Sequence, residues 1–205
     1  DLLRELQPAK VLLIAARANV GTVTVRMEPV ELADHVESVL AGHRAVPGKV
    51  VTSSLHPGIV DADPIRVRQI LRNLITNAIR YGGPNVHVAM TSTTGAHVVE
   101  VIDDGPGIPA EDHERIFEAY ERAHATAGTP GSVGLGLTVS RTLAQLMGGS
   151  LTYHFDGRSR FRLELSRDVD AERELLRSEP EVAIDRVASP AIGVDRIGVD
   201  VGVVD

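Results

Sequence analysis

RQILRNLITNAIRYGG, residues 68–83, places two asparagines one helical turn apart inside a stretch that otherwise reads as an amphipathic helix. On a helix, Gln69, Asn73, Asn77 and Arg80 or Tyr81 recur at spacings of four, four and three or four and share one face. Val67, Ile70, Leu71, Leu74, Ile75 and Ala78 cover much of the rest. Asparagine is a poorer helix former than Leu, Glu or Lys, so the polar face asks for a ligand. Its amide oxygen is a neutral hard donor suited to Mg²⁺, which keeps several waters and is usually held by few protein groups plus phosphates, and Arg80 would neutralise phosphate charge. Taken alone, the segment also reads as a polar helix face in water.

Working outward, Asp63-Pro64 is a good start for this helix. Upstream, residues 1–20 read as a short helix, TVTVRME as an alternating strand and VELADHVESVLAGH as a helix closed by Gly42. KVVTSSL then reads as a strand and PGIVDADP as turn-rich. Downstream, NVHVAMTST and HVVEVID, separated by Thr94 and Gly95, read as a hairpin. Residues 104–136 are dominated by glycine, proline and small polar residues around one helical patch, EDHERIFEAYERA, and irregular stretches of that length are usually functional or disordered. LTVSRTLAQLMGG is a helix stopped by two glycines, and SLTYHF and RFRLELS are the last two strands. This alternation of helix and strand predicts one layered α/β domain.

The composition shifts at about residue 168. The charged segment DVDAERELLRSEPE and the loose repeat IGVD, IGVD, VGVVD read as a linker or partner-binding extension, with too few copies for a solenoid.

The chain has 205 residues, 43% hydrophobic content and no cysteine, enough for one sizeable core without a disulfide framework. A net charge of -7 with no Lys/Arg run excludes a nucleic-acid surface from the expected partners. VLLIAA, the most apolar stretch, is far shorter than the roughly 20 residues of a membrane span, and the first residues lack a signal-peptide pattern. The expectation is a cytoplasmic fragment with no membrane contact of its own, from a parent whose membrane attachment stays open.

Two more stretches carry chemistry. In EVIDDGPGIP, residues 100–109, an apolar strand ends in Asp103 and Asp104 beside two glycines; a carboxylate there can accept from an exocyclic amine, and glycines let a flat ring approach the backbone. In GTPGSVGLGLTVS, residues 128–140, a glycine-rich segment runs into a helix, so backbone N–H groups and the helix N-terminus can face phosphate. It is neither a Walker A loop nor a Rossmann turn, lacking the Gly-Lys-Ser/Thr ending of the first and the early strand of the second.

Together, RQILRNLITNAIRY, DDGPG, IFEAYER and GSVGLGL resemble, in order and spacing across roughly residues 22–166, the N, G1, F and G2 boxes of the ATP-binding catalytic domain of sensor histidine kinases, members of the GHKL ATPase superfamily. The resemblance implies the Bergerat fold, an α+β two-layer sandwich in which a mixed, mostly antiparallel sheet of about five strands packs on three helices, with a mobile ATP lid. It implies a remnant of a dimerisation or linker helix at 1–20, the catalytic domain at 21–167 and a C-terminal extension at 168–205. The implied cofactors are ATP and Mg²⁺.

Carried over by position, Asn77 would hold the Mg²⁺ that bridges the phosphates, with Asn73 one turn before it, and Arg80, beside Tyr81, would touch phosphate. Asp103 would bind adenine N6 in a pocket shaped by Gly105, Gly107 and Ile108. Gly134, Leu135, Gly136 and Leu137 would wrap the phosphates, and the lid would span about 121–133. Phe117 would dock that lid, and Arg122 would reach the γ-phosphate.

Hydrolytic members of the superfamily carry a glutamate one turn before the metal asparagine; here that position is Asn73, and an amide cannot act as a general base near neutral pH. Transfer to another acceptor is expected, with slow hydrolysis. None of the eight histidines fits the family's acceptor: His113-Glu114-Arg115 is followed by Ile116-Phe117 instead of Thr-Pro, His35 has no downstream proline nearby, and His56-Pro57 lies in a turn. His43, His87, His97, His124 and His154 read as solvated or packed. The implied partners are dimerisation helices bearing the acceptor, upstream or on another protein, and a response regulator, with a homodimeric parent. Asp104 stands where the family often has asparagine, the lid is sparse in basic residues, and GRSRF matches Gly-x-Thr-Phe loosely. The competing readings are an anti-sigma-factor-like serine kinase and a non-catalytic nucleotide-sensing module.

Overall fold

A computed structural model describes residues 24–118 and 136–178 of the chain. In chain order the elements are β1 (Glu28–Glu31), α1 (Leu32–Ala41), β2 (Val50–Ser54), β3 (Ile59–Ala62), α2 (Pro64–Tyr81), β4 (Asn85–Ser92), β5 (Ala96–Asp103), α3 (Gly136–Leu146), β6 (Ser150–Phe155), β7 (Ser159–Ser166) and α4 (Val169–Ser178). Short 3-10 turns lie at Ala110–Asp112 and Arg115–Phe117.

Helix α2 starts as its sequence predicts. Pro64 has no N–H to lose at the first turn, and the Asp63 carboxylate caps the backbone N–H groups of Ile65 and Arg66 at 2.9 and 3.1 Å. Asp63 Oδ2 also accepts from Arg26 N at 3.0 Å, so the cap ties the entering chain to the helix. Its apolar stripe, Val67, Ile70, Leu71, Leu74, Ile75 and Ala78, is buried, each residue at 1% exposure or less.

Five strands form the main sheet in the order β2-β4-β5-β7-β6. Only β2 and β4 run parallel, a pairing that requires a crossover, supplied by β3 and α2. The other pairs are antiparallel, including the expected β4–β5 hairpin with Val88 opposite Val101. Alternation sets the inner face: Val86, Val88 and Met90 on β4, Leu151 and Tyr153 on β6, and Phe161, Leu163 and Leu165 on β7 are buried against the helices. Helices α1, α2 and α3 complete one core, joined by Val36, Leu40, Ile70, Leu74, Leu143 and Ala144. This is the two-layer α+β sandwich with a mixed, mostly antiparallel sheet that the motif order implies.

Three local readings change. TVTVRME is not the first strand; Thr24–Met27 has no regular structure, and β1 follows it. Its partner is β3, inside the stretch that reads as turn-rich, where Ile59, Val60 and Ala62 are buried and Val30 faces Val60. The flanking Pro-Gly and Asp-Pro pairs hide these four residues, and only pairing with β1 reveals them. The helical patch at 111–123 resolves as two 3-10 turns as far as Phe117, and its remainder lies outside the described residues.

The first ten residues of the charged segment after residue 168 form α4. Glu172 accepts from His97 Nε2 at 2.5 Å and pairs with Arg167, fastening α4 to the central strand. Ala171 N donates to Asp168 Oδ1 at 2.9 Å, which caps the helix start. No described helix is long and apolar enough to cross a membrane.

Candidate functional site

The three motif stretches meet on α2. At its middle, Asn73 Nδ2 donates to Ser140 Oγ on α3 at 3.1 Å. Gly136, the first residue of α3, lies so close that a Cβ there would stand 2.3 Å from Asn73 Oδ1, an approach only glycine permits. At its end, Gly82 and Gly83 abut the loop after β5: a Cβ on Gly105 would lie 2.7 Å from Asp103 Oδ1 and 2.9 Å from the Gly82 Cα. Along the face between these contacts, Asn73 and Asn77 are half-buried, whereas Gln69, Arg80 and Tyr81 are exposed.

Asp103 ends β5 and is buried, at 5% exposure. Burial pushes its carboxyl above the ordinary range, opposed by the backbone N–H groups of Gly105 and Gly83 and by the Ser159 hydroxyl, while the neighbouring Asp104 charge adds to the rise. The Gly105 contact is 2.9 Å. Such a group accepts hydrogen bonds when ionised and donates one when protonated. Asp104, by contrast, is exposed and holds the start of β4, accepting from Asn85 N at 2.9 Å and from Asn85 Nδ2 at 2.5 Å. Those bonds lower its carboxyl, so the two adjacent aspartates are driven apart.

Gly107 adopts φ +76°, a left-handed conformation open to glycine, and a Cβ there would strike the Phe155 ring at 2.4 Å. Ile108 is held at both ends of its backbone: its N–H donates to Tyr153 Oη at 3.0 Å, and its carbonyl accepts from His113 Nε2 at 2.9 Å. A carbonyl can only accept, so the proton sits on Nε2. His113 is therefore a prop for this loop, its ring edge-on to Tyr153 with centroids 4.8 Å apart.

Phe117 is buried in the core, where its ring meets Phe161 edge-on and the Arg141 guanidinium carbon lies 4.6 Å from its centroid. Arg141 also pairs with Glu114 at 2.8 Å and so links α3 to the 3-10 turns. The lid expected to dock on Phe117, together with Arg122, Gly134 and Leu135, lies outside the described residues. Leu137 and Ile108 are half-buried and pack on the core.

Sequence reasoning missed Lys49, Tyr153 and His113 as parts of this region. Lys49 Nζ donates to the carbonyls of Gly82 and Gly83 at 2.9 and 2.8 Å, closing the end of α2 as a cation suits a helix C-terminus. Nothing in KVVTSSL marks that role. Ser159 had a signal, since it is the hydroxyl in GRSRF.

Residues 62–169, more than half of the chain, match the family described as histidine kinase-, DNA gyrase B-, and HSP90-like ATPase. The chain is 33% identical over 131 residues to the signal transduction histidine-protein kinase BarA of Escherichia coli K12, covering 59% of this chain and 14% of BarA. It is 30% identical over 160 residues to the signal transduction histidine-protein kinase AfsQ2 of Streptomyces coelicolor, covering 77% of this chain and 30% of AfsQ2. The chain thus spans less than a third of either relative. Among solved structures, full-length ShkA in complex with AMPPNP is similar at a TM-score of 0.63 and 25% identity, over 75% of this chain and 34% of that one.

Proposed function

This chain belongs to the histidine kinase-, DNA gyrase B-, and HSP90-like ATPase family, and we propose that it acts as the ATP-binding catalytic domain of a two-component sensor histidine kinase. In this reading the γ-phosphoryl group of ATP passes to a histidine outside this chain and onward to a response regulator. The P–O bond to the β-phosphate breaks, a P–N bond to the imidazole forms, and ADP and a proton leave.

The observation that carries the reading is the convergence on α2. A buried carboxylate among glycine backbone sits at the helix end, and a half-buried asparagine face runs to the glycine that opens α3. Asp103 would accept from adenine N6, and the loop of Gly105, Gly107 and Ile108 would shape the base pocket. Asn77 and Arg80, with Tyr81 beside them, and Gly136 and Leu137 would face the phosphates. Gly134, Leu135 and Arg122, from the sequence reading, would complete that end. The curated relatives bear the names of histidine-protein kinases, and ShkA carries an ATP analogue, which supports nucleotide as the ligand.

Mg²⁺ fits the donor set. Among the described residues no cluster of three or more His, Asp or Glu could cage a metal, which suits an ion shared between Asn77 and substrate phosphates, where it would neutralise their charge. Asn73 offers no carboxylate to activate water, so transfer is favoured over hydrolysis. The catalytic domain would occupy residues 21–167, preceded by the end of a dimerisation helix and followed by an extension whose start, α4, packs on the sheet. The partners would be the acceptor-bearing helices of a homodimeric parent and a response regulator.

Calorimetric titration with ATP, in Mg²⁺ and in EDTA, tests the site. Mg²⁺-assisted binding that Asn77→Ala and Asp103→Ala abolish is the expected result. Supplying the parent's upstream helices should then yield acid-labile phosphohistidine. Normal ATP binding with no transfer to those helices would overturn the kinase reading.

A further inference from the structure

Behind Asp103 lies a chain of hydrogen bonds that starts from a group able only to donate. Ile108 N–H can only donate, so Tyr153 Oη, 3.0 Å away, is its acceptor. The single Tyr153 proton is then free for Ser159 Oγ, 3.3 Å away. With the Tyr153 proton on one of its two lone pairs, the Ser159 O–H is polarised toward Asp103, to which it is hydrogen-bonded and whose carboxyl that bond lowers. All three side chains are buried, with Tyr153 9%, Ser159 5% and Asp103 5% exposed, so water does not readily supply an alternative order. The sequence runs N–H to phenol, phenol to hydroxyl, hydroxyl to carboxylate.

We infer that Tyr153 is a positioning residue which, through Ser159, holds Asp103 as a hydrogen-bond acceptor and so selects a 6-aminopurine over a 6-oxopurine nucleotide. The inference rests on the ATP reading of this pocket. Burial pushes Asp103 toward its neutral form, which would carry an O–H donor and welcome a 6-oxo group. The donor arriving from Ser159 opposes this, as do the N–H groups of Gly105 and Gly83. With Tyr153 absent from the chain, Ser159 Oγ loses the donor that polarises its own O–H toward the carboxylate, and the bias against a protonated Asp103 weakens. Tyr153 touches neither substrate nor reacting atoms; it acts through Ser159.

Tyr153→Phe deletes only the hydroxyl and keeps the ring against His113 and Phe161, whose centroids lie 4.8 and 4.9 Å from it. The decisive comparison is ATP against ITP, which differ at the purine 6-position, by calorimetry on wild type, Tyr153→Phe, Ser159→Ala and the double variant. Each single variant is expected to lower the ATP/ITP affinity ratio by about three- to tenfold, the range of one lost hydrogen bond, with the double variant no worse than either. An unchanged ratio in Tyr153→Phe, or additive losses in the double variant, would overturn the inference. Wild type that binds neither nucleotide would instead defeat the ATP reading. The relay is then judged in the nucleotide-free protein by amide hydrogen exchange at Ile108: faster exchange in Tyr153→Phe supports the chain, and unchanged exchange refutes it.

Discussion

Asn73 on α2 and Ser140 on α3, 67 residues apart, are joined at 3.1 Å, and the other end of the same amide rests against Gly136. Asn73 therefore spans two helices. Ser140 is 2% exposed, and its removal takes away the acceptor of the half-buried Asn73 Nδ2. Ser140→Ala is expected to cost roughly 1 kcal/mol in urea denaturation, and Asn73→Ala combined with it to be less than additive.

Glu172 yields the pH prediction. Burial by itself raises its carboxyl, but the hydrogen bonds from Arg167 and His97 outweigh this and hold it at about 2, below the ordinary 4.5. A carboxyl depressed in the folded state contributes stability above its unfolded value and loses it as pH falls. The fastening of α4 should thus be constant above about pH 4.5 and weaken progressively toward pH 2. Amide exchange in α4 as a function of pH should show this acid limb in wild type and lose it in Glu172→Gln.

The Asp63 cap is expected to dominate the start of α2. Asp63→Ala removes the acceptor for Ile65 N, Arg66 N and Arg26 N together and should cost about 1–2 kcal/mol in thermal denaturation. Asp63→Asn should recover much of the loss, because asparagine caps helices nearly as well.

Gly107→Ala separates conformational strain from crowding. Its φ of +76° should cost roughly 1–2 kcal/mol whatever the surroundings, and the Phe155 ring adds a clash. Phe155→Ala in the Gly107→Ala background is expected to relieve the clash and leave the strain. A denaturation midpoint restored fully by the second substitution would mean that strain is negligible here.

Much of the fold was legible because it is written locally. The 3.6-residue stripe of α2, the period-two burial of β7, the Asp63-Pro64 start and the glycines that stop α3 depend on neighbours in the chain. Gly148 at φ +73° and the bond from Gly149 N to Ala144 O at 2.9 Å show why that helix ends where the sequence predicts. Strand β3 escaped because its four residues sit between turn formers, and their burial comes from β1 and the sheet. Helix α4 escaped because a charged segment reads as solvated until His97 and Arg167 supply partners for Glu172.

By itself, then, the sequence determined helices α1, α2 and α3, the β4–β5 hairpin and the last two strands, since periodicity, capping and glycine chemistry act over a few residues. Tertiary structure alone decided what each polar side chain touches: Asn73 with Ser140, Lys49 with the carbonyls ending α2, and Tyr153 with Ile108 and Ser159. A buried polar group must find a partner. Which partner it finds is set by the packing of segments far apart in the chain, and no local pattern encodes that choice.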